Sequence, residues 1–106
     1  RSDYYNGMGL TYYRKKSYPE ALRLFSAASE VDPNDATARY NHACVLSLLG
    51  RAEEAIAMLA EAFHLDPRLL QTARADADFD NIKTSIKFRD LVQQPGLPDI
   101  EAIPAH

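Results

Sequence analysis

Apolar residues recur along the first two thirds of the chain with the three-and-four spacing of helices that bury one stripe. Tyr5, Met8, Gly9 and Tyr12 stand at i, i+3, i+4 and i+7 and predict a helix over about 3–16. Ser2 reads as its N-cap, and Arg14, Lys15 and Lys16 lie in its last turn, where cations suit the helix dipole. A second helix opens with Pro19 in its first turn, where a missing N–H costs nothing. Ala21, Leu24, Phe25 and Ala28 form its apolar face, and it ends near Val31, because Pro33 disfavours helical geometry at Asp32. Asn34 or Asp35 caps a third helix that runs to Leu49 and stops at Gly50. The fourth spans about 52–65, with Glu53 and Glu54 at its positive end. Beyond it, Phe79, Ile82, Ile86, Phe88, Leu91 and Val92 predict two short helices at about 78–84 and 86–94, with Asp78 and Ser85 as N-caps.

The same hairpin occurs twice. Pro33 and Pro67 stand 34 residues apart, as do Gly9 and Ala43, Tyr12 and Leu46, Ala21 and Ala55, Phe25 and Leu59, and Ala28 and Ala62. A 34-residue unit of two helices resembles the tetratricopeptide repeat. Tyr5, Met8, Gly9, Tyr12, Ala21, Phe25, Ala28 and Pro33 match its pattern of large, small, aromatic and proline positions. In the second unit Gly50, Ala55, Leu59, Ala62 and Pro67 match, while Arg39 and His42 stand where the family prefers an aromatic and a leucine. A third unit starts in register at Leu70, but Asp76 and Ala77 occupy its large-small pair and the chain turns polar. The resemblance implies an all-α fold, a right-handed α-α superhelix of helical hairpins. Repeat one then covers about 2–35, repeat two 36–69, and an atypical unit over 70–94 covers the apolar end of the array. The stretch 95–106, with Pro95, Pro98 and Pro104, reads as a flexible tail or linker.

Composition narrows the function. A chain of 106 residues is one domain, and its net charge of −3 lacks the basic stripe that phosphate binding calls for. No apolar run is long enough to insert in a membrane. The missing initiator methionine and secretory signal suggest a piece of a longer protein; the compartment stays open, with the cytoplasm favoured. A single cysteine, Cys44, excludes an internal disulfide.

No enzyme chemistry emerges. Asp76, Asp78 and Asp80 fall at the first, third and fifth places of a calcium loop, but Asn81 stands where its glycine belongs and Lys87 where its bidentate glutamate belongs. Helix capping and a solvated loop explain them better. His42 and Cys44, two residues apart, turn about 200° from each other on a helix and cannot form a dyad. No catalytic residue, cofactor or metal site is expected.

What remains is a surface. In the family that the chain resembles, the first helix of each unit lines a groove that receives a peptide or a partner helix. Those places are held by Asp3, Asn6, Gly7, Leu10, Tyr13 and Arg14 in unit one and by Thr37, Tyr40, Asn41, Cys44, Ser47 and Leu48 in unit two. Gln71, Arg74 and Ala75 hold them in the partial third. Tyr13 and Tyr40 supply rigid amphipathic area, Asn41 a donor and an acceptor for a peptide backbone, and Arg14 and Arg74 charges that suit a carboxylate. The tyrosines serve equally to pack against neighbouring repeats. Members that clamp the C-terminal tails of chaperones need a set of basic and asparagine positions. Asn41 alone matches it, which makes such tails unlikely ligands. The expected function is a protein–protein interaction module, scaffold or adaptor. Self-association, or regulation of a larger enzyme, is the alternative.

Overall fold

The computed structural model describes residues 1–93, and the stretch 95–106 read as a tail lies outside them. Helices α1 (Ser2–Arg14) and α2 (Tyr18–Val31) form one hairpin; α3 (Ala36–Leu48) and α4 (Ala52–Leu65) form the next. A short α5 (Leu69–Arg74), a 3-10 helix (Ala77–Ile82) and α6 (Ile86–Val92) follow. No strand occurs among the described residues. Each helix of the repeats packs on its sequence neighbour, and the 3-10 helix returns to lie on α3.

The repeat is reproduced down to single hydrogen bonds. Lys16 and Gly50, equivalent residues, both adopt left-handed backbone, at φ 63° and 80°. Ser17 N–H donates to the Tyr12 carbonyl and Arg51 N–H to that of Leu46, both at 2.9 Å. This six-to-one bond closes a helix whose next residue is left-handed. It ends α1 at Arg14, before the expected Lys16. Ser2 is already helical, so the cap position falls to Arg1, whose carbonyl takes the Tyr4 and Tyr5 amides. At α3 the cap is Asp35, whose carboxylate accepts from Ala38 N–H at 3.0 Å.

Gly9 allows the first hairpin to close. A Cβ there would stand 2.6 Å from Phe25 Cε1, well inside an ordinary carbon contact of about 3.5–4 Å. The family departures in unit two also have local reasons. The Arg39 guanidinium donates to the Pro33 carbonyl at 2.9 Å and to Glu61 at 3.0 Å, tying the turn between repeats to α4. His42 is half-buried, and burial lowers its pKa, so a neutral ring replaces the leucine.

The main core runs from the second repeat into the cap, through Leu46, Leu59, Phe63, Leu70, Phe79, Ile82 and Phe88. Phe79 meets the Tyr40 ring edge-on at 5.7 Å and lies 5.8 Å from Phe88. The cap gains a short α5 and its last helix stops at Val92 rather than 94, but the main difference from expectation lies between them. The segment predicted as a helix over 78–84 with Asp78 as its cap is a 3-10 helix over 77–82, capped by Asp76, which accepts from Asp78 N–H at 3.0 Å. An aspartate that captures an amide two residues on offers the backbone an alternative to the α-helical ladder. Ser85 caps α6, as its position predicts, by accepting from Phe88 N–H.

Candidate binding groove

The first helix of each hairpin, α1 and α3, faces the side from which the 3-10 helix returns. There the polar run Asp76-Ala77-Asp78 turns inward. Tyr40 Oη donates to Asp76 Oδ2 and Tyr13 Oη to Asp78 Oδ2, both at 2.6 Å. Ser47 Oγ donates to the Asp78 carbonyl at 2.7 Å, and Asn81 Nδ2 to the Ser47 carbonyl at 3.2 Å. Cys44 Sγ lies 3.9 Å from Asp76 Oδ2. Tyr13, Tyr40 and Ser47, expected to meet a partner, thus serve as sockets for the chain's own cap.

Their electrostatics follow from this placement. Burial, then the hydrogen bond to its aspartate, pushes each of Tyr13 and Tyr40 well above the ordinary phenol range. The Cys44 thiol is driven up by burial and by the two carboxylates beside it, so it stays protonated and is a poor nucleophile.

Between the repeats and the cap lies a cavity of about 150 Å³. Leu10 and Phe25 supply its apolar surface, Tyr13 and Tyr40 its aromatic one, and Asn41, Cys44, Asp76 and Asp78 its polar one. The Asn41 side chain is half-buried and makes no hydrogen bond among the described residues.

The other groove positions lie apart from the cavity. Asn6 Nδ2 donates to Asp35 Oδ2 at 2.8 Å, while its Oδ1 is buried without a hydrogen-bond partner. Arg14, Thr37 and Gln71 do not line it. Arg74 Nε donates to the Val92 carbonyl at 2.6 Å, which pins α5 to α6.

Cys44, Asp76 and Asp78 place one potential ligand atom each within 4.8 Å of one another. Asp80, the third acid of the calcium-like spacing, instead pairs with Lys83 at 2.9 Å on the exposed side. The thiol holds its proton and the tyrosines occupy one oxygen of each carboxylate, so the donor set suits a hard divalent cation poorly.

An all-helical array of hairpins with polar side chains gathered on the face of α1 and α3 defines a helical-repeat module. The family follows directly: the tetratricopeptide repeat profile matches residues 1–68, and the chain belongs to that family. A TPR repeat-containing thioredoxin of Arabidopsis thaliana is 41% identical over 59 residues, 56% of this chain and 9% of its own. The mouse DnaJ homolog subfamily C member 7 is 38% identical over 58 residues, 55% of this chain and 12% of its own. A chloroplastic protein of Arabidopsis thaliana is 30% identical over 89 residues, 81% of this chain and 27% of its own, a match that reaches beyond the two repeats. The chain therefore spans only a small part of these relatives. No solved structure matches it.

Proposed function

We propose that this domain is a protein–protein interaction module that receives an extended segment of a partner along the concave face of α1 and α3. The observation that carries the reading is the cavity beside Asn41, lined by both repeats and the cap. The amide makes no hydrogen bond among the described residues and stands next to the apolar side of Leu10. An amide of this kind holds a peptide backbone with its donor and its acceptor together.

Asp76 and Asp78 set the polarity of the ligand. They add two carboxylates to a face where Asn6, Leu10, Gln71 and Ala75 stand in place of the basic residues and the asparagine of a carboxylate clamp. A C-terminal carboxylate, such as a chaperone tail, would meet repulsion there. The relatives named for a thioredoxin and for a DnaJ homolog carry a similar segment within much longer chains. That arrangement favours an adaptor role over an independent activity.

The test is affinity capture from native lysate with the wild-type domain and an Asn41→Ala/Leu10→Ala variant as paired baits. Both substitutions spare Tyr40, Tyr13 and Ser47, which hold the cap. A partner captured by the wild type and lost with the variant, at unchanged helicity and Tm, supports the reading. Capture that is indifferent to both substitutions refutes it.

A further inference from the structure

We infer that the cavity between the repeats and the cap is a subsite for a primary ammonium on an aliphatic stem, as a lysine side chain of a partner presents it. The inference rests on the groove reading above and names the chemistry of its anchor.

Asp76 and Asp78 face one cavity, and no ion pair among the described residues includes either of them. Each gives Oδ2 to a tyrosine hydroxyl, and Asp76 Oδ1 takes the Asp78 amide. Among the described residues the Asp78 carboxylate accepts from Tyr13, while the weak thiol donor of Cys44 points to Asp76 Oδ2 at 3.9 Å. Hydrogen bonds spread this charge without cancelling it. An ammonium brings three N–H donors, and the cavity offers two carboxylates and the Asn41 carbonyl oxygen, which has no partner among the described residues.

The remaining walls decide the ligand's body. Leu10 and Phe25 suit methylenes, and the rings of Tyr13 and Tyr40 favour a cation at close range. At about 150 Å³ the space equals about five water volumes of ~30 Å³ each, the size of four methylenes and a nitrogen. A divalent metal is the poorer fit, because it wants six or more oxygens and a tyrosine already holds one oxygen of each carboxylate.

The probe is n-butylammonium, titrated into the domain while backbone amide signals are followed by NMR. n-Butanol, magnesium chloride and Nα-acetyl-lysine methylamide form the parallel arms. Saturable shifts at Leu10, Asn41 and Asp78 with both ammonium compounds are expected. Asp78→Asn keeps an oxygen for Tyr13 and the carbonyl for Ser47, and it should weaken binding at least about tenfold, as loss of a charged hydrogen-bond partner does. Leu10→Phe keeps both charges and fills the space, and should abolish binding. Equal shifts with butanol, a response to magnesium alone, unchanged affinity in Asp78→Asn, or no response would each overturn the inference. Butylammonium binding that excludes the blocked lysine would overturn the peptide source. If partner capture depends on Asn41 and Leu10 while no ammonium binds, this inference falls and the groove reading stands. If ammonium binds but no capture depends on the groove, the subsite stands and the groove reading falls.

Discussion

Two glycines on one helix isolate the energy of the α1–α2 contact. Gly7 and Gly9 both lie in α1, and alanine at either gains about 1 kcal/mol of helix propensity over glycine. A Cβ at Gly7 meets nothing within 4 Å. At Gly9 it meets three atoms of the Phe25 ring, at 2.6, 2.8 and 3.0 Å. Relief needs the ring to retreat by about 1 Å to reach normal contact distance, and Phe25 is only 1% exposed. Overpacking of this kind costs about 1–3 kcal/mol. Gly7→Ala should therefore stabilise by up to about 1 kcal/mol. Gly9→Ala should fall about 1–3 kcal/mol below Gly7→Ala, since the propensity gain is common to both. Urea denaturation of the two variants, followed by circular dichroism, gives the difference directly. At ~4–8 °C per kcal/mol, the melting temperatures should also separate visibly. Equal stability of the two would refute the claim that Gly9 is there for close approach.

Other outcomes follow from the caps and from titration. Lys16→Gly should stabilise by up to about 1 kcal/mol, because it removes a left-handed residue that carries a Cβ, whereas Gly50→Ala at the equivalent place should destabilise by a similar amount; thermal melts check both. Tyr40→Phe removes a buried bond to a carboxylate and should cost about 1.5–3 kcal/mol in urea titrations, with helicity kept. The pH profile of stability should fall on both sides. Tyr13 and Tyr40 have pKa values raised above the ordinary 10.0, so the folded state holds their protons longer than the unfolded one and stability declines above pH 10. His42 is lowered below 6.5, so the unfolded chain takes up its proton first and stability declines as pH drops through that value; His42→Leu should flatten the acid limb alone.

The hairpins were legible because their signal is repeated. A helix inferred from Tyr5, Met8, Gly9 and Tyr12 gains weight when Ala43 and Leu46 return in the same register. Even Arg39 and His42 disturbed the pattern only locally. The groove positions were legible as places, but what they touch was not. Asp76-Ala77-Asp78 reads as a solvated loop, since aspartates usually face water. A clue lay in its flanks. Leu70 and Ala73 are buried before it and Phe79 and Ile82 after it. A polar stretch held that tightly between buried anchors cannot leave the surface of the bundle, and its carboxylates must find donors there. Tyr13 and Tyr40 are those donors, Ser47 holds the Asp78 main-chain carbonyl beside them, and no local pattern pairs residues that far apart along the chain.

The bond from Tyr13 to Asp78 joins residues 65 positions apart and skips a whole repeat. Helical-repeat arrays otherwise couple only neighbours, so they flex like springs and fray from their ends. Here the inner curve is stitched from first unit to last, much as a bowstring fixes the bend of a bow. The curvature of the array is set by the chain itself. Loosening the terminal cap should then be felt in the first hairpin as readily as in the second.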